Sequence, residues 1–269
     1  MKQRLIDRYN ITITGNQDGQ AVLFAHGFGC DQGMWRYVAP GFEADYKVVL
    51  FDYIGHGGAN LDAYNRERYA SLHGYAQDIL DICHALDLQD VILVGHSVSS
   101  MICTLACIRE PDRFDRLIMV SPSPRYINDG DYYGGFERED IDGLLTMMDG
   151  NFFGWANTLA PAMMGNGDRP QLGHELRDSF CRTDLEVALQ FAQVTFYSDN
   201  RADLPKLQIP SLVIQSLDDI IAPVEVGEYV AQKTPNSRLR VIAATGHCPH
   251  LSAPAETTEA IRQYLASVN

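Results

Sequence analysis

Short, almost wholly apolar runs recur along this chain, with longer amphipathic stretches between them. The runs lie at residues 21–25, 47–52, 91–94, 116–120, 210–215 and 239–242. Most are rich in Val, Ile and Leu and lack the polar alternation of a half-exposed strand, which predicts parallel strands buried on both faces. Residues 11–14 differ. Ile11-Thr12-Ile13-Thr14 alternates as an edge strand does, ending at Gly15 and the polar turn Asn16-Gln17-Asp18-Gly19. Residues 72–88 place Leu72, Tyr75, Ala76, Ile79, Leu80, Ile82, Cys83 and Leu86 at helical spacing. Residues 224–233 and 255–266 read as further helices. This β–α alternation calls for a mostly parallel sheet flanked by helices, the α/β class.

The rhythm breaks after Ser121-Pro122-Ser123-Pro124. From residue 136 to 196 no strand pattern occurs, and helical runs are separated at Gly150, at residues 165–170 and near Thr183. The segment is rich in large apolar side chains, among them Met147, Met148, Phe152, Phe153, Trp155, Met163, Met164, Phe191 and Phe196. A helical insertion cannot join a parallel sheet, so it is expected to lie across the strand ends as a cap. That divides the chain into a core of residues 1–128 and 200–269 and a cap of residues 129–199. Most of the cap's aromatics are expected to hold the cap together, and the rest to reach a cavity.

Composition narrows the function classes. With 269 residues, 46% of them hydrophobic, the chain suits one large α/β domain with a sizeable core. Its formal net charge is −14 and it has no long basic run, which disfavours nucleic acid or an anionic membrane surface as partner. No apolar run approaches membrane-spanning length. The N-terminal Met1-Lys2-Gln3-Arg4-Leu5-Ile6-Asp7 lacks the apolar centre of a signal peptide. Cys30, Cys83, Cys103, Cys107, Cys181 and Cys248 form no CxxC pair. Without a secretory signal they read as reduced thiols, which makes the cytoplasm the expected location. Cys103 and Cys107, one helical turn apart, read as core packing.

The stretch Val91-Ile92-Leu93-Val94-Gly95-His96-Ser97-Val98-Ser99-Ser100-Met101 carries the sharpest chemical signal. A buried strand turns through small residues into an apolar helix, the context in which G-x-S-x-G presents a nucleophilic serine. Ser99 stands where the second glycine belongs, which weakens the motif without removing it. A serine hydroxyl needs a base, and the base needs a carboxylate to hold its tautomer. At later strand ends the chain offers Asp218 or Asp219, and then His247. The order Ser–Asp–His is that of α/β hydrolases. Oxyanion donors are expected from the backbone N–H groups of Val98 and of Phe28, in His26-Gly27-Phe28-Gly29. His247-Cys248-Pro249-His250 has a metal-like spacing, but Pro249 argues against a helix and no second ligand pair stands out, so no metal is expected. Gly55-His56-Gly57-Gly58 lacks the rest of any nucleotide fingerprint and reads as backbone geometry, and no cofactor is expected.

These residues resemble the α/β hydrolases of the RsbQ type, bacterial regulators that act with a phosphatase partner in the general stress response. The chain is also similar to the plant karrikin and strigolactone receptor hydrolases. The resemblance runs nearly end to end. It rests on His26-Gly27-Phe28-Gly29-Cys30-Asp31-Gln32, Leu50-Phe51-Asp52-Tyr53, Gly95-His96-Ser97-Val98 and Tyr132-Tyr133-Gly134-Gly135-Phe136. Asp218-Asp219-Ile220-Ile221-Ala222-Pro223 and Gly246-His247-Cys248-Pro249-His250 extend it. Cys248-Pro249-His250 looks more like the bacterial proteins, Ser99-Ser100 more like the plant ones. The resemblance implies that the triad acid is Asp219, four residues before Pro223, and that a helical lid covers an apolar pocket. It also implies a PAS-domain phosphatase as partner.

The expected activity is hydrolysis of a small, mainly apolar ester or lactone by Ser97, His247 and Asp219. Phe28, Phe136, Trp155 and Phe196 are the expected substrate-lining residues. The alternative is a signalling module that binds or slowly hydrolyses a small ligand. Dehalogenases and epoxide hydrolases on this scaffold resemble it with an aspartate where Ser97 stands, and are disfavoured.

Overall fold

A computed structural model describes residues 2–267. Among them, one sheet holds the strands in the order β1-β3-β2-β4-β5-β6-β7. These are β1 (Thr12–Gly15), β2 (Ala21–Ala25), β3 (Lys47–Leu50), β4 (Val91–His96), β5 (Phe114–Val120), β6 (Ser211–Asp218) and β7 (Ser237–Thr245). Only β1 is antiparallel, paired to β3, and every other pairing is parallel. The helices are α1 (Lys2–Arg8), α2 (Leu72–Leu86), α3 (Val98–Arg109), α4 (Arg138–Gly150), α5 (Phe152–Met164), α6 (Pro170–Arg182), α7 (Leu185–Phe196), α8 (Val224–Lys233), the single turn α9 (Pro249–Ser252) and α10 (Pro254–Ser267).

The apolar runs are continuous because the central strands are covered twice. Leu23, Leu93, Leu117 and Val213 pack into one core with Ile79 and Leu80 of α2 and Ile102 of α3. Their neighbours Val22, Phe24, Ile92, Val94, Ile118 and Ile214 enter a second core with Trp35, Phe42 and Ile261, Tyr264 and Leu265 of α10. Side chains alternate across a strand, so one run supplies both cores. Each fully buried aliphatic side chain contributes about 1.5–3 kcal/mol of transfer free energy.

Four helices, α4 to α7, fill the chain between β5 and β6, where the only pairings among the described residues are isolated bridges at Ile127–Phe136 and Asp129–Tyr132. The breakers act where the sequence places them. Gly165 ends α5 in the left-handed region at φ 63°, Pro170 opens α6, and Thr183 follows it. Asp184 then caps α7, accepting from the Glu186 and Val187 N–H groups.

Two elements exceed the sequence reading. Residues 2–8 form α1, whose charged surface gives no apolar periodicity; the next residue, Tyr9, anchors it by donating to the buried Asp78 carboxylate at 2.9 Å. β7 runs well beyond residues 239–242, because as the sheet's edge it exposes alternate positions and carries Arg238 and Arg240 there. Gly55 and Gly57 sit at positive φ in a turn, as the backbone reading of that stretch requires. Among the described residues, no helix is long and apolar enough to cross a membrane.

Candidate active site

β4 ends at His96, and α3 begins at Val98, leaving Ser97 alone to make the turn. Its backbone lies at φ 57°, ψ −125°, a region that a side chain occupies only under strain. The surroundings hold it there: the Ser97 N–H donates to the Val120 carbonyl at 2.8 Å, and the Ser97 carbonyl accepts from the Ser100 N–H at 2.9 Å. Close packing explains Gly95. A Cβ at that position would lie 2.5 Å from the Ser99 carbonyl oxygen, too near for any side chain.

The elbow brings Ser97 Oγ to 2.7 Å from His247 Nε2, and His247 Nδ1 lies 2.8 Å from Asp219 Oδ2. His247 follows β7. Its N–H donates to the Met163 carbonyl of α5 at 2.8 Å, and its carbonyl accepts from His96 Nε2–H at 2.8 Å. Asp219 Oδ1 accepts from the Ile221 and Ala222 N–H groups at 2.8 and 3.1 Å, which turns Oδ2 toward the imidazole. Asp218, the last residue of β6, is exposed, whereas Asp219 is buried. The geometry therefore joins Asp219, and not its neighbour, to His247. With Asp219 ionised, Nδ1 carries the imidazole proton and Nε2 is left to accept from Ser97.

The N–H groups of Val98 and Phe28 have no acceptor among the described residues, leaving both donors free for a ligand oxygen. Such an arrangement can move a proton from a hydroxyl to an imidazole and hold an anionic oxygen beside it.

The inserted helices cover this point. The Phe28 ring meets Trp155 of α5, Phe180 of α6, and Phe191 and Phe196 of α7, with ring centroids 5.7–6.1 Å apart. Phe28, Trp155 and Phe196 thus come together, and Ser97 itself is only 5% exposed. Phe136 packs against the same apolar cluster. It sits half-buried at the Ile127–Phe136 bridge, held by strand-like pairing outside the four helices. A surface cleft of about 680 Å³ lies elsewhere, between α4 and α7, and is lined by charged residues such as Arg138, Asp142 and Asp149.

Sequence reasoning missed Tyr126. Its hydroxyl lies 3.3 Å from Ser97 Oγ, and its ring packs edge-on against Phe196. Because the Ser97 proton points to His247, Tyr126 is the donor. Burial pushes the phenol up to about 12, so it keeps that proton at neutral pH. The one available signal was its place after β5, at the strand end that also carries Ser97. Tyr126→Phe should lower kcat by less than about tenfold, since a 3.3 Å bond between neutral hydroxyls is weak. A loss matching that of the triad residues would mean that Tyr126 takes a direct part in the chemistry.

Folding also brings His96 to Cys248 and His250, with all three buried and their ligand-type atoms within 4.8 Å of one another. Burial holds both imidazoles neutral, His250 down to about 3. The His96 bond to the His247 carbonyl makes this cluster a buttress for the histidine loop.

The alpha/beta hydrolase fold family matches residues 20–254. A karrikin insensitive 2 receptor of Petunia hybrida is 42% identical over 250 residues, 92% of each chain. Strigolactone esterase D14 of Arabidopsis thaliana is 35% identical over 266 residues, 98% of each. Among solved structures, a hydrolase from Oleispira antarctica superposes with a TM-score of 0.96 at 45% identity, covering 98% of this chain and 97% of that one.

Proposed function

The chain belongs to the α/β-hydrolase family, and from that premise we propose that it is a serine hydrolase of small, mainly apolar esters or lactones. The observation that carries this reading is the closed relay from Ser97 through His247 to Asp219, with bonds of 2.7 and 2.8 Å at the base of an aromatic enclosure. Ser97 Oγ attacks the carbonyl carbon while its proton passes to His247 Nε2, and Asp219 stabilises the imidazolium. The carbonyl oxygen, now anionic, takes the N–H groups of Val98 and Phe28. His247 returns the proton to the departing alkoxide, leaving an acyl group on Ser97. Water, deprotonated by the same imidazole, then releases the acid.

In this reading α4 to α7 form a cap, residues 129–199, over a core made of the rest. Phe28, Trp155 and Phe196 line the acyl site. No Arg or Lys hydrogen-bonds to Ser97, Asp219 or His247 among the described residues, and a net charge of −14 repels an anion on approach. Compact neutral substrates are therefore expected. Turnover should fall steeply from p-nitrophenyl acetate and butyrate to palmitate, and a butenolide probe should be cleaved while an anionic ester is spared. A preference for palmitate or for the anionic ester would contradict the substrate class.

A second reading draws on the similarity to a receptor and on the burial of Ser97 below aromatic side chains from three inserted helices. Here the triad captures or slowly turns over its ligand, and the cap then engages a protein such as a PAS-domain phosphatase. Multiple-turnover kinetics separate the two: an enzyme cycles freely after acylation, whereas a receptor accumulates the adduct. The six free thiols, five of them buried, suit a reducing compartment such as the cytoplasm.

A further inference from the structure

The loop that carries the Phe28 donor contains two glycines within His26-Gly27-Phe28-Gly29, a sequence with little stiffness of its own. An oxyanion donor works only if it is aimed before the charge develops. The structure supplies the missing rigidity from both sides.

From the core side, the buried Ser99 hydroxyl of α3 donates to the His26 carbonyl. That uses its only proton, so the 3.0 Å contact with the Tyr53 hydroxyl is donated by Tyr53. The Tyr53 N–H also donates to His26 Nε2 at 3.1 Å, and His26 Nδ1–H donates to the Gly27 carbonyl at 2.9 Å. From the inserted helices, the buried Ser179 hydroxyl of α6 donates to the Gly29 carbonyl at 2.8 Å. The next residue, Phe180, packs so closely on Gly29 that a Cβ there would lie 2.1 Å from its ring.

We propose that Ser99 and Ser179 are positioning residues that grip the carbonyl groups on either side of Phe28 and thereby aim its N–H at the oxyanion. This rests on the serine-hydrolase reading above. Ser99 is then a working replacement for the glycine of G-x-S-x-G: it follows Val98, one oxyanion donor, and restrains the loop bearing the other. Because Ser179 belongs to α6, half of the grip depends on how the inserted helices dock.

The test compares Ser99→Ala, Ser179→Ala and the double variant, using p-nitrophenyl butyrate kinetics and the binding of two ketones. A trifluoromethyl ketone adds to the serine and forms an oxyanion, whereas the matching methyl ketone stays largely a ground-state ligand. Each single variant should lose about tenfold in kcat and about tenfold in trifluoromethyl ketone affinity, a fraction of the loss expected when a whole donor is removed. KM and methyl ketone affinity should stay within about twofold, a split that a general loss of structure would not give. If Ser99→Ala fails to fold, Ser99→Gly, which restores the glycine of the usual elbow and likewise removes the hydroxyl, takes its place with the same readouts. Unchanged kcat, a loss confined to KM, or an effect at one serine alone overturns the two-sided grip. Activity surviving in Ser97→Ala would instead remove the reading beneath it.

Discussion

Ser97→Ala is expected to lower kcat by roughly 10⁴–10⁶, the largest effect of any single substitution in this protein. The side chain removed is the one 2.7 Å from His247 Nε2, at the only residue between β4 and α3. Without it, the donors of Val98 and Phe28 can still polarise a carbonyl, but no acyl group can be stored. The fold should survive, because alanine removes one atom and relaxes no packing. A fluorophosphonate should add a single mass to the intact wild-type chain, mapping to the peptide that contains Ser97. Equal labelling of Ser97→Ala would place the nucleophile elsewhere.

Asp219→Asn should cost about 10⁴ in kcat, whereas Asp218→Asn should stay within a few-fold of wild type. The reason lies in the hydrogen-bond inventory of the site. Asp219 Oδ1 accepts two backbone N–H groups, so an asparagine would put its carbonyl oxygen there and turn its amide toward His247 Nδ1. That amide can only donate, which forces the proton onto Nε2 and leaves nothing to accept from Ser97. Asp218 is exposed at the end of β6 and makes no bond to His247. Steady-state kinetics of the two variants check this directly. A reversed order, with Asp218→Asn crippled and Asp219→Asn active, would sink the assignment.

The parts of this site that were legible in the chain share one property: their geometry is local. Gly95-His96-Ser97 must turn sharply because a buried strand and a helix meet there, and the observed φ of 57° at Ser97 is that turn. His247 was legible because a strand ends just before it. The choice between Asp218 and Asp219 was different. Adjacent residues at a strand end point apart, and periodicity cannot say which one faces the histidine; the family pattern chose, and the two N–H bonds to Oδ1 now give the physical reason. The pairing of Phe136 at the Ile127–Phe136 bridge was not legible, because aromatic content marks apolar surroundings without saying which ones. Tyr126 left no signal beyond its position after β5, since a tyrosine in a loop is ordinary until its partner is known.

By itself the sequence determined the α/β class, the strand ends at which chemistry can occur, and the breakers that divide α4 from α7, because each depends on hydrogen bonding or burial within a few neighbouring residues. Tertiary structure alone decided which side chains meet across them. Ser97 and His247 lie 150 residues apart in the chain, as do Ser179 and Gly29. Such contacts follow from how strands order in the sheet and how inserted helices settle on its edge, and the energies involved are sums over two whole cores. No single residue carries that sum, so no single stretch of sequence displays it.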